Sequence, residues 1–387
     1  MSATCFRVCV GSVGLAAFAG LAVHEARAAD QDLLVTTSNG ILRYDGTSGA
    51  YLGPFATGFQ AEARVRAIRY GPDGQIYVSL NASYGIARVN AKTGKILDDP
   101  WASRCDLNGP LGMRFGPDGD LYVASLTNTK VVRFNGTTGA CMGDFIPPYY
   151  CGLSGSRGVG GIAFGPGNRL YIGTTFSNNG VRLFDAPTGA CIGEFISQSL
   201  CPSAPSVLGL GPADGYLYVV GYNYGEVWRY DAETGAPIDV FVPPYTTLVG
   251  PSSCSTWGPD GCLYVVDYGA ARIQRYHGTT GQFMGTFAAG PEMVELWGAV
   301  FMPHPADFDT DGDVDVGDVG RFQACVTGPT IPYNPTALPP GCVMPVDANG
   351  HIDADFDQDG DVDLADFGVF QRCYSGAGKA ADSACTD

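Results

Sequence analysis

The sequence predicts a mainly β protein: a six-bladed β-propeller with four-stranded blades, followed by a small α module of two loop–helix units. Three observations predict this architecture. Two short phrases recur along most of the chain, and two nearly identical aspartate-rich stretches lie near its C-terminus. The composition is rich in glycine (55 residues) and only 16% charged, which is typical of a compact β-rich protein with many tight turns.

The first phrase reads YGPDGQIYV at 70–78 and joins a Gly-Pro turn to an apolar strand. It recurs as FGPDGDLYV, FGPGNRLYI, LGPADGYLYV and WGPDGCLYV. The second phrase, YDGTSG at 44–49, is another turn, and its last glycine returns every 45 to 50 residues, at 49, 94, 139, 189, 235 and 281. Four antiparallel strands in each such unit form a propeller blade, so six units predict six blades.

The two ends of the repeat region predict how the ring closes. The first unit lacks its first strand, whereas LWGAVFMP at 296–303 follows the sixth unit and aligns with the missing strand. We therefore expect the first blade to be assembled from both ends of a domain spanning 30–303, which leaves no free sheet edge.

Units such as GPLGMRFGPDGDLYVASLTNTKVVRFNGTTG and STWGPDGCLYVVDYGAARIQRYHGTTG resemble NHL repeats. The resemblance covers roughly residues 30–303 and implies a propeller. It does not choose a function, because the family includes protein- or RNA-binding modules, lactonases and lyases.

The inner strands offer little to a catalytic centre. A lactonase-like propeller would gather Glu, Asn and Asp around a central metal, but the predicted inner strands begin as RAI, LGM, GGI, VLG, CST and WGA. No histidine of the predicted mature chain lies near these starts, so a histidine acid or base is not expected there. Four charged residues could reach a channel mouth, with ordinary surface or turn roles as the alternative: Arg64, Arg66, Asp267 and Glu295. Five loop tyrosines could stack on a sugar or peptide, or else pack over the loop bases: Tyr149, Tyr150, Tyr222, Tyr224 and Tyr245.

The N-terminus predicts export. Residues 1–28 contain an early Arg7, a short apolar stretch and Ala26-Arg27-Ala28, which together indicate a secretory signal peptide with its cleavage site. The alternative is a membrane anchor, but the apolar stretch is short for a span. We expect no membrane span after removal of this segment.

Close cysteine pairs in an exported chain predict disulfides. No C-x2-C motif occurs, which disfavours the alternative of metal binding. The spacing predicts Cys141 with Cys151, Cys191 with Cys201, Cys254 with Cys262, Cys325 with Cys342, and Cys373 with Cys385. Cys105 is left over and is expected to be free or bonded to another chain.

The formal net charge of −17 is concentrated near the C-terminus. From residue 304 onward there are 16 aspartates and three basic residues, whereas the repeat region is only mildly acidic. Neither part has the basic face that nucleic acid or an anionic membrane requires, so neither is expected as a partner.

The aspartates of 304–387 have the spacing of calcium ligands. Within DFDTDGDVDVGD (307–318) and DFDQDGDVDLAD (355–366), carboxylates occupy loop positions 1, 3, 5, 7, 9 and 12, with glycine at 6. This arrangement lets oxygen donors converge on one Ca²⁺ ion. The expected ligands of two ions are Asp307, Asp309, Asp311, Asp313, Asp315 and Asp318, and Asp355, Asp357, Asp359, Asp361, Asp363 and Asp366.

The regular register argues against a disordered acidic run. Position 8 is apolar in both loops (Val314 and Val362), as expected if the loops dock together, and each loop continues into a short helical pattern at 319–325 and 367–373. Position 12 is Asp, where the EF-hand has Glu, so bidentate ligation by this residue is in question.

A calcium loop with an exit helix, present twice, resembles a type I dockerin over about 80 residues. The resemblance implies a calcium-folded module that docks to a cohesin. Two departures put that partner in doubt: the 48-residue offset between the loops, and Val316-Gly317 and Leu364-Ala365 at positions 10 and 11, where partner choice is usually made.

These features favour an exported, non-catalytic propeller whose loops bind a ligand or partner, with a calcium-folded module that attaches it to a cohesin-like or other cell-surface protein. A carbohydrate or a peptide is the expected ligand class. The first alternative is an enzyme acting on a carbohydrate or lactone, as in polysaccharide catabolism, delivered by the module. The second is a purely structural surface protein.

Overall fold

Strands recur in groups of four along the chain, as the two phrases predict. The computed structural model describes residues 31–60, 63–103, 105–153, 158–174, 180–309, 312–347, 349–377, 379, 381 and 385–386. The predicted signal peptide, residues 1–28, lies outside them. The described residues form six four-stranded antiparallel sheets arranged as the blades of a propeller. None of the helices in this described part is long and apolar enough to cross a bilayer.

The bounds below run from the inner to the outer strand of each blade. Blade 1 contains β24 (Ala299–Phe301), β1 (Leu33–Thr37), β2 (Gly40–Tyr44) and β3 (Tyr51–Thr57). Blade 2 contains β4 (Val65–Tyr70), β5 (Ile76–Leu80), β6 (Gly85–Val89) and β7 (Ile96–Ala102). Blade 3 contains β8 (Pro110–Phe115), β9 (Leu121–Ser125), β10 (Lys130–Phe134) and β11 (Cys141–Ile146).

Blade 4 contains β12 (Ile162–Gly165), β13 (Arg169–Gly173), β14 (Val181–Asp185) and β15 (Cys191–Ile196). Blade 5 contains β16 (Pro205–Leu210), β17 (Leu217–Gly221), β18 (Glu226–Tyr230) and β19 (Pro237–Val242). Blade 6 contains β20 (Thr256–Trp257), β21 (Leu263–Asp267), β22 (Arg272–Tyr276) and β23 (Phe283–Ala289). Helices α1 (Val316–Cys325) and α2 (Leu364–Cys373) follow the propeller.

Blade 1 is built from both ends of the repeat region, as predicted. β24 pairs antiparallel with β1, with Leu33 opposite Phe301 and Val35 opposite Ala299. The last inner strand therefore completes the first sheet and closes the ring.

The Gly-Pro-Asp-Gly phrase forms a turn that is tied to the strand after it. Asp118 accepts a hydrogen bond from the Asp120 N–H (3.2 Å) through one oxygen and from the Tyr122 hydroxyl (2.8 Å) through the other. A Cβ at Gly116 would lie 2.7 Å from the Tyr122 ring, so the ring requires glycine there. The same Asp–Tyr bond recurs in Asp73–Tyr77, Asp214–Tyr218 and Asp260–Tyr264.

The hydrophobic core lies between neighbouring blades. The tyrosine of the Gly-Pro-Asp-Gly phrase lies at the centre of this core. The Tyr122 ring packs edge-on against Phe145 of its own outer strand (4.8 Å between centroids) and Phe164 of the next blade (5.1 Å). Tyr264 makes the equivalent contact with Phe301 (4.8 Å), which joins blade 6 to blade 1. The repeated aromatic residues thus hold the ring together through packing between blades.

Two disulfides of the propeller link neighbouring blades, and their pairing differs from the prediction. Cys105 bonds Cys141, and Cys151 bonds Cys191. The predicted Cys141–Cys151 and Cys191–Cys201 bonds are wrong, and so is the expectation that Cys105 is unpaired. The reason is geometric: a six-residue extended strand, about 20 Å long, separates the members of each predicted pair. A disulfide needs Cα atoms about 4.4–6.8 Å apart.

Three cysteines of the described residues are free: Cys201, Cys254 and Cys262. The predicted Cys254–Cys262 bond is therefore also wrong. Cys201 follows blade 4 as Cys105 and Cys151 follow blades 2 and 3, but Pro237 occupies the partner position at the start of β19. Burial raises the pKa of the Cys201 thiol to about 12.

Candidate functional site

The two aspartate-rich loops have matching geometry. In the first, carboxylate oxygens of Asp307, Asp309 and Asp318 lie within 4.8 Å of one another, as do those of Asp313, Asp315 and Asp318. In the second, the groups are Asp355, Asp357 and Asp359 (positions 1, 3 and 5), and Asp361, Asp363 and Asp366 (positions 7, 9 and 12). Asp311, predicted at position 5 of the first loop, lies outside the described residues. The eleven described aspartates of the twelve predicted ligands thus belong to four groups of carboxylate oxygens, two in each loop.

The glycine at position 6 makes the turn that closes each loop. Gly312 has φ +103° and Gly360 has φ +94°, values that favour glycine. The Gly312 N–H donates to the Asp307 carboxylate at 3.0 Å, and the Gly360 N–H donates to Asp355 at 3.2 Å. Position 6 therefore folds each loop back onto position 1.

Aspartate at position 12 fixes the loop backbone. The fully buried Asp318 carboxylate accepts N–H bonds from Phe308 (2.6 Å), Asp309 (3.1 Å) and Asp315 (2.8 Å). Asp366 does the same with Phe356, Asp357 and Asp363. The side chain that replaces the longer glutamate of the EF-hand thus holds positions 2, 3 and 9 together.

Position 9 starts the exit helix, which the sequence placed three residues too late. Asp315 and Asp363 are the N-caps of α1 and α2, and each forms a capping box with the aspartate at position 12. A capping box satisfies backbone donors at the helix start. The helices therefore begin at Val316 and Leu364, inside the aspartate-rich stretches.

The electrostatics of the second loop favour a bound cation. Burial raises the pKa of Asp366. Burial also raises the pKa of Asp361, and the negative charges of Asp359, Asp363 and Asp357 add to this shift. The Asp361 side chain is 4% exposed, and its buried Oδ1 has no hydrogen-bond partner among the described residues. All the donors are oxygens, the class of ligand that Ca²⁺ prefers, so the residues present fit this ion.

The valines at position 8 join the two loop–helix units of the module. Each valine bonds to the segment that follows the helix of the other unit, and not to the described residues of the other loop. The Val314 carbonyl accepts the N–H groups of Ser375 (2.9 Å) and Gly376 (3.0 Å). The Val362 carbonyl accepts those of Thr327 (3.0 Å) and Gly328 (3.1 Å). This reciprocal pairing encloses a core in which Phe322 and Phe370 stack at 5.3 Å.

The proline-rich insert between the halves supports the second loop, a role that sequence reasoning missed. The Tyr333 hydroxyl donates to the Asp355 carboxylate at 2.7 Å, and the Tyr333 N–H donates to the Gly360 carbonyl at 3.1 Å. An aromatic residue within an otherwise proline-rich stretch was the available signal. The predicted bonds Cys325–Cys342 and Cys373–Cys385 are both present and fasten the C-terminal ends of α1 and α2.

The residues after 303 pack against one face of the propeller. We call the end at which inner strands finish in Gly-Pro turns the turn face, and the opposite end the loop face. Arg321 of α1 donates to the Pro72 carbonyl in a turn of blade 2 (3.0 Å), and Lys92 forms an ion pair with Asp353. A cavity of about 640 Å³ separates the inner-strand ends from Asp307, Gly312 and Asp313. The first loop therefore lies beside the channel at the turn face.

The loop face carries a row of rings beside a buried arginine. The Arg66 guanidinium lies 3.8 Å from the centroid of the Trp297 ring. Tyr268 packs on Trp297 (4.6 Å), and Tyr222 lies next to Tyr268 (6.4 Å). Arg66 in β4 and Trp297, two residues before β24, occupy equivalent positions of the repeat. Of the predicted tyrosines, only Tyr222 belongs to this row.

The remaining predicted tyrosines lie elsewhere. Tyr224 and Tyr245 pack on each other (5.1 Å), with Tyr245 75% exposed. Tyr150 accepts a hydrogen bond from the Cys191 N–H and adjoins the 68% exposed Tyr149 near a disulfide. The ring contacts among the described residues thus do not join the five tyrosines into one row.

The other predicted mouth residues divide into structural and exposed groups. Asp267 is fully buried, and its carboxylate accepts the N–H groups of Val249 (2.9 Å) and Gly250 (3.0 Å) and pairs with Arg272. Asp267 therefore has a structural role, which was the alternative to a place at the channel mouth. Arg64 and Glu295 are exposed and both have positive φ.

Two further arginines lie deeper in the channel wall. Arg69 and Arg114 occupy equivalent positions in β4 and β8, three residues after the level of Arg66. Arg114 reaches across to donate to the Leu208 carbonyl at 2.6 Å. Burial, followed by the charge of Arg69, lowers the pKa of Arg114 to about 9, and burial lowers that of Arg66 to about 10. No ion pair among the described residues includes these three arginines.

Comparisons with known proteins establish the fold only. No family model matches the sequence, and no curated protein matches it. Among solved structures, the chain is similar to one from a crystal structure of a nidogen/laminin complex, with TM-score 0.55, 14% identity, and coverage of 70% of this chain and 98% of that one. A protein of unknown function from Bacteroides caccae gives TM-score 0.53, 14% identity and coverage of 70% and 98%.

A third structure is the catalytically inactive H270A virginiamycin B lyase from Staphylococcus aureus with quinupristin, with TM-score 0.50, 19% identity and coverage of 70% and 89%. At these identities the comparisons support a shared propeller architecture and transfer no site residues or activity.

Proposed function

We propose that the chain is an exported binding protein in which an NHL-like propeller presents a ligand site on its loop face, while a dockerin-like module binds two Ca²⁺ ions. One observation carries this proposal most directly: two loops with the same aspartate spacing, glycine turn and capping box stand 48 residues apart. Structural disulfides support export, because they persist in oxidising compartments.

The placement of the module supports its role as an attachment device. It packs on the turn face through Arg321 and Lys92, so the loop face stays accessible to a ligand. The first residues of the two helices, Val316 and Leu364, are 73% and 82% exposed. Exposed apolar side chains at equivalent positions form a candidate contact surface for a cohesin-like or other cell-surface protein.

Calcium would stabilise the module through charge. Carboxylates crowded within each loop repel one another until a divalent cation lies among them, so ion binding and folding are coupled. The loop residues supply oxygens, and the position 12 aspartates bond to the loop backbone in the folded module.

Calorimetric titration of the full-length, chelator-treated protein with CaCl₂ tests this proposal. Two calcium equivalents are expected for the wild type. Asp309→Asn and Asp357→Asn, which each remove one carboxylate from a position 3, should each leave one tight site. Asp347→Asn, in the same module but outside both loops, is the matched control and should retain two. Absence of calcium binding, or a stoichiometry unchanged by both loop variants, would contradict the proposal.

A further inference from the structure

The channel wall at the loop face contains buried hydrogen-bond donors that lack acceptors. Arg66 is only 9% exposed, and its Nε and Nη1 have no partner among the described residues. The Nε1 of Trp297, whose ring is in contact with Arg66, is also buried and without a partner. Deeper in the wall, Nη2 of Arg69 is in the same state. A buried donor without an acceptor destabilises the fold, and an unpaired buried charge does so more strongly.

The charges in this wall have the same sign. Arg66 and Arg69 lie in the same inner strand, β4, and Arg114 lies in β8 of the next blade, at the position equivalent to Arg69. Burial, followed by repulsion from Arg69, lowers the pKa of Arg114. The carboxylate that most affects Arg66 belongs to Glu295, which is exposed on the surface. Donors and positive charge thus accumulate where the described residues provide no carboxylate partner.

We propose that the channel mouth at Arg66 and Trp297 binds the oxyanion group of a ligand, with Arg69 and Arg114 supplying positive charge beneath it. The missing partners are all acceptors, and an oxyanion satisfies several donors at once through charge-assisted hydrogen bonds. The inference deepens the proposed function and rests on it, because it specifies the chemical class of the ligand that the loop face takes.

The ring row favours an oxyanion carried on an organic body over a bare inorganic ion. Trp297, Tyr268 and Tyr222 form a continuous aromatic wall beside the guanidinium. A planar or sugar ring that carries a carboxylate can pack on this wall while its charge reaches Arg66. An inorganic oxyanion would bond to the donors of Arg66 and Trp297 but would not pack on the aromatic rings.

The test is calorimetric titration of the full-length protein, saturated with calcium, with sodium glucuronate, sodium sulfate and glucose. Glucuronate is expected to bind saturably, and glucose, which lacks the charge, at least tenfold more weakly. Binding of sulfate as tight as that of glucuronate would assign the site to inorganic oxyanions. Absence of saturable binding by both anions would overturn the proposal, whatever the result of the calcium titration.

Variants locate the site. Arg66→Met removes the donors and should weaken the anion about 10- to 100-fold, since hydrogen bonds to charged groups are the strong ones. Trp297→Phe retains a ring without its N–H, so a smaller, roughly threefold to tenfold loss is expected. Lys95→Met is the matched control, an equal loss of charge at an exposed site. If Arg66→Met and Trp297→Phe bind glucuronate as the wild type does, the anion binds elsewhere and the assignment is wrong.

Discussion

At the residue scale, the repeat phrases are recognisable because each residue in them has a separate physical role. Asp118 shapes a turn with one carboxylate oxygen and holds the Tyr122 hydroxyl with the other. Arg133 pairs with the same carboxylate (2.7 Å). The tyrosine ring then packs into the joint between two blades. The Tyr122 side chain therefore connects the turn, its own strand and the neighbouring blade.

The Asp–Tyr bond can be separated from the packing of the ring. Tyr122→Phe keeps the ring but removes the hydroxyl, and should lower the free energy of unfolding by about 1–2 kcal/mol. Tyr122→Ala also leaves a cavity between blades 3 and 4, so a loss of about 3–5 kcal/mol is expected. Denaturant unfolding followed by circular dichroism measures both. Tyr84→Phe, at an exposed tyrosine, is the control; equal losses for Tyr122→Phe and Tyr122→Ala would exclude the interblade role.

The spacing of the loop aspartates predicts a common register for them but does not distinguish their roles. The alternating spacing predicted convergence of Asp307 and Asp309, and these carboxylates do converge. It did not predict that Asp318 binds three backbone N–H groups, because that role depends on how the loop backbone turns toward the helix. Arg66 was identified by position, whereas its unpaired donors depend on burial, which a single sequence does not reveal.

At the element scale, the blades could be predicted from the sequence, but the disulfide bonds between blades could not. Strand and turn patterns are local, so the 45- to 50-residue repeat placed all six sheets. The Cys105–Cys141 bond joins elements of different blades, 36 residues apart. Proximity in sequence favoured Cys151 for Cys141 instead, although β11 keeps those two residues apart.

The interblade pattern predicts a new bond at Cys201. Cys141 and Cys191 begin the outer strands of blades 3 and 4, opposite Phe134 and Phe184. Pro237 has the equivalent place opposite Tyr230. Pro237→Cys should therefore form a disulfide with Cys201 and raise the free energy of unfolding by about 2–4 kcal/mol under oxidising conditions.

Mass mapping of the non-reduced Pro237→Cys variant detects the peptide pair that joins Cys201 to the introduced thiol, and unfolding with and without reductant measures the gain. Pro237→Cys combined with Cys201→Ser is the matched control and should show no such gain. A variant that keeps both thiols free after oxidation would show that the blade 4–5 joint differs from the two before it.

At the scale of the whole molecule, stability depends on a ring whose final joint is made by residues far apart in sequence. β24 supplies the inner strand of blade 1, and Phe301 packs on Tyr264 of blade 6. Phe115 makes the same contact with Tyr77 inside the chain (5.0 Å). Phe301 and Phe115 thus make equivalent contacts. Phe301 lies at the joint that closes the ring, whereas Phe115 lies at an internal joint between blades 2 and 3.

Their truncation should therefore have different consequences. Phe301→Ala removes a buried aromatic ring and should cost about 3–5 kcal/mol. Phe115→Ala removes a half-buried ring and should cost somewhat less. Phe301→Ala should also raise amide hydrogen exchange in both β24 and β1, because it loosens the strand that closes the ring. Phe115→Ala should raise exchange only around blades 2 and 3. Amide hydrogen exchange measured by mass spectrometry compares the two variants. If both variants raise exchange only near the substituted residue, the joint that closes the ring is no weaker than an internal joint.

The position of β24 has a mechanical consequence for a tethered protein. The module continues directly from this strand, so tension between an attached module and a ligand on the loop face pulls on the three-residue pairing of β24 with β1. Arg321 on Pro72 and Lys92 with Asp353 join the module to blade 2 in parallel with that pairing. These contacts divert part of the load into a blade with four continuous strands. In a tethered protein, the seam of the ring would therefore carry only part of the tension.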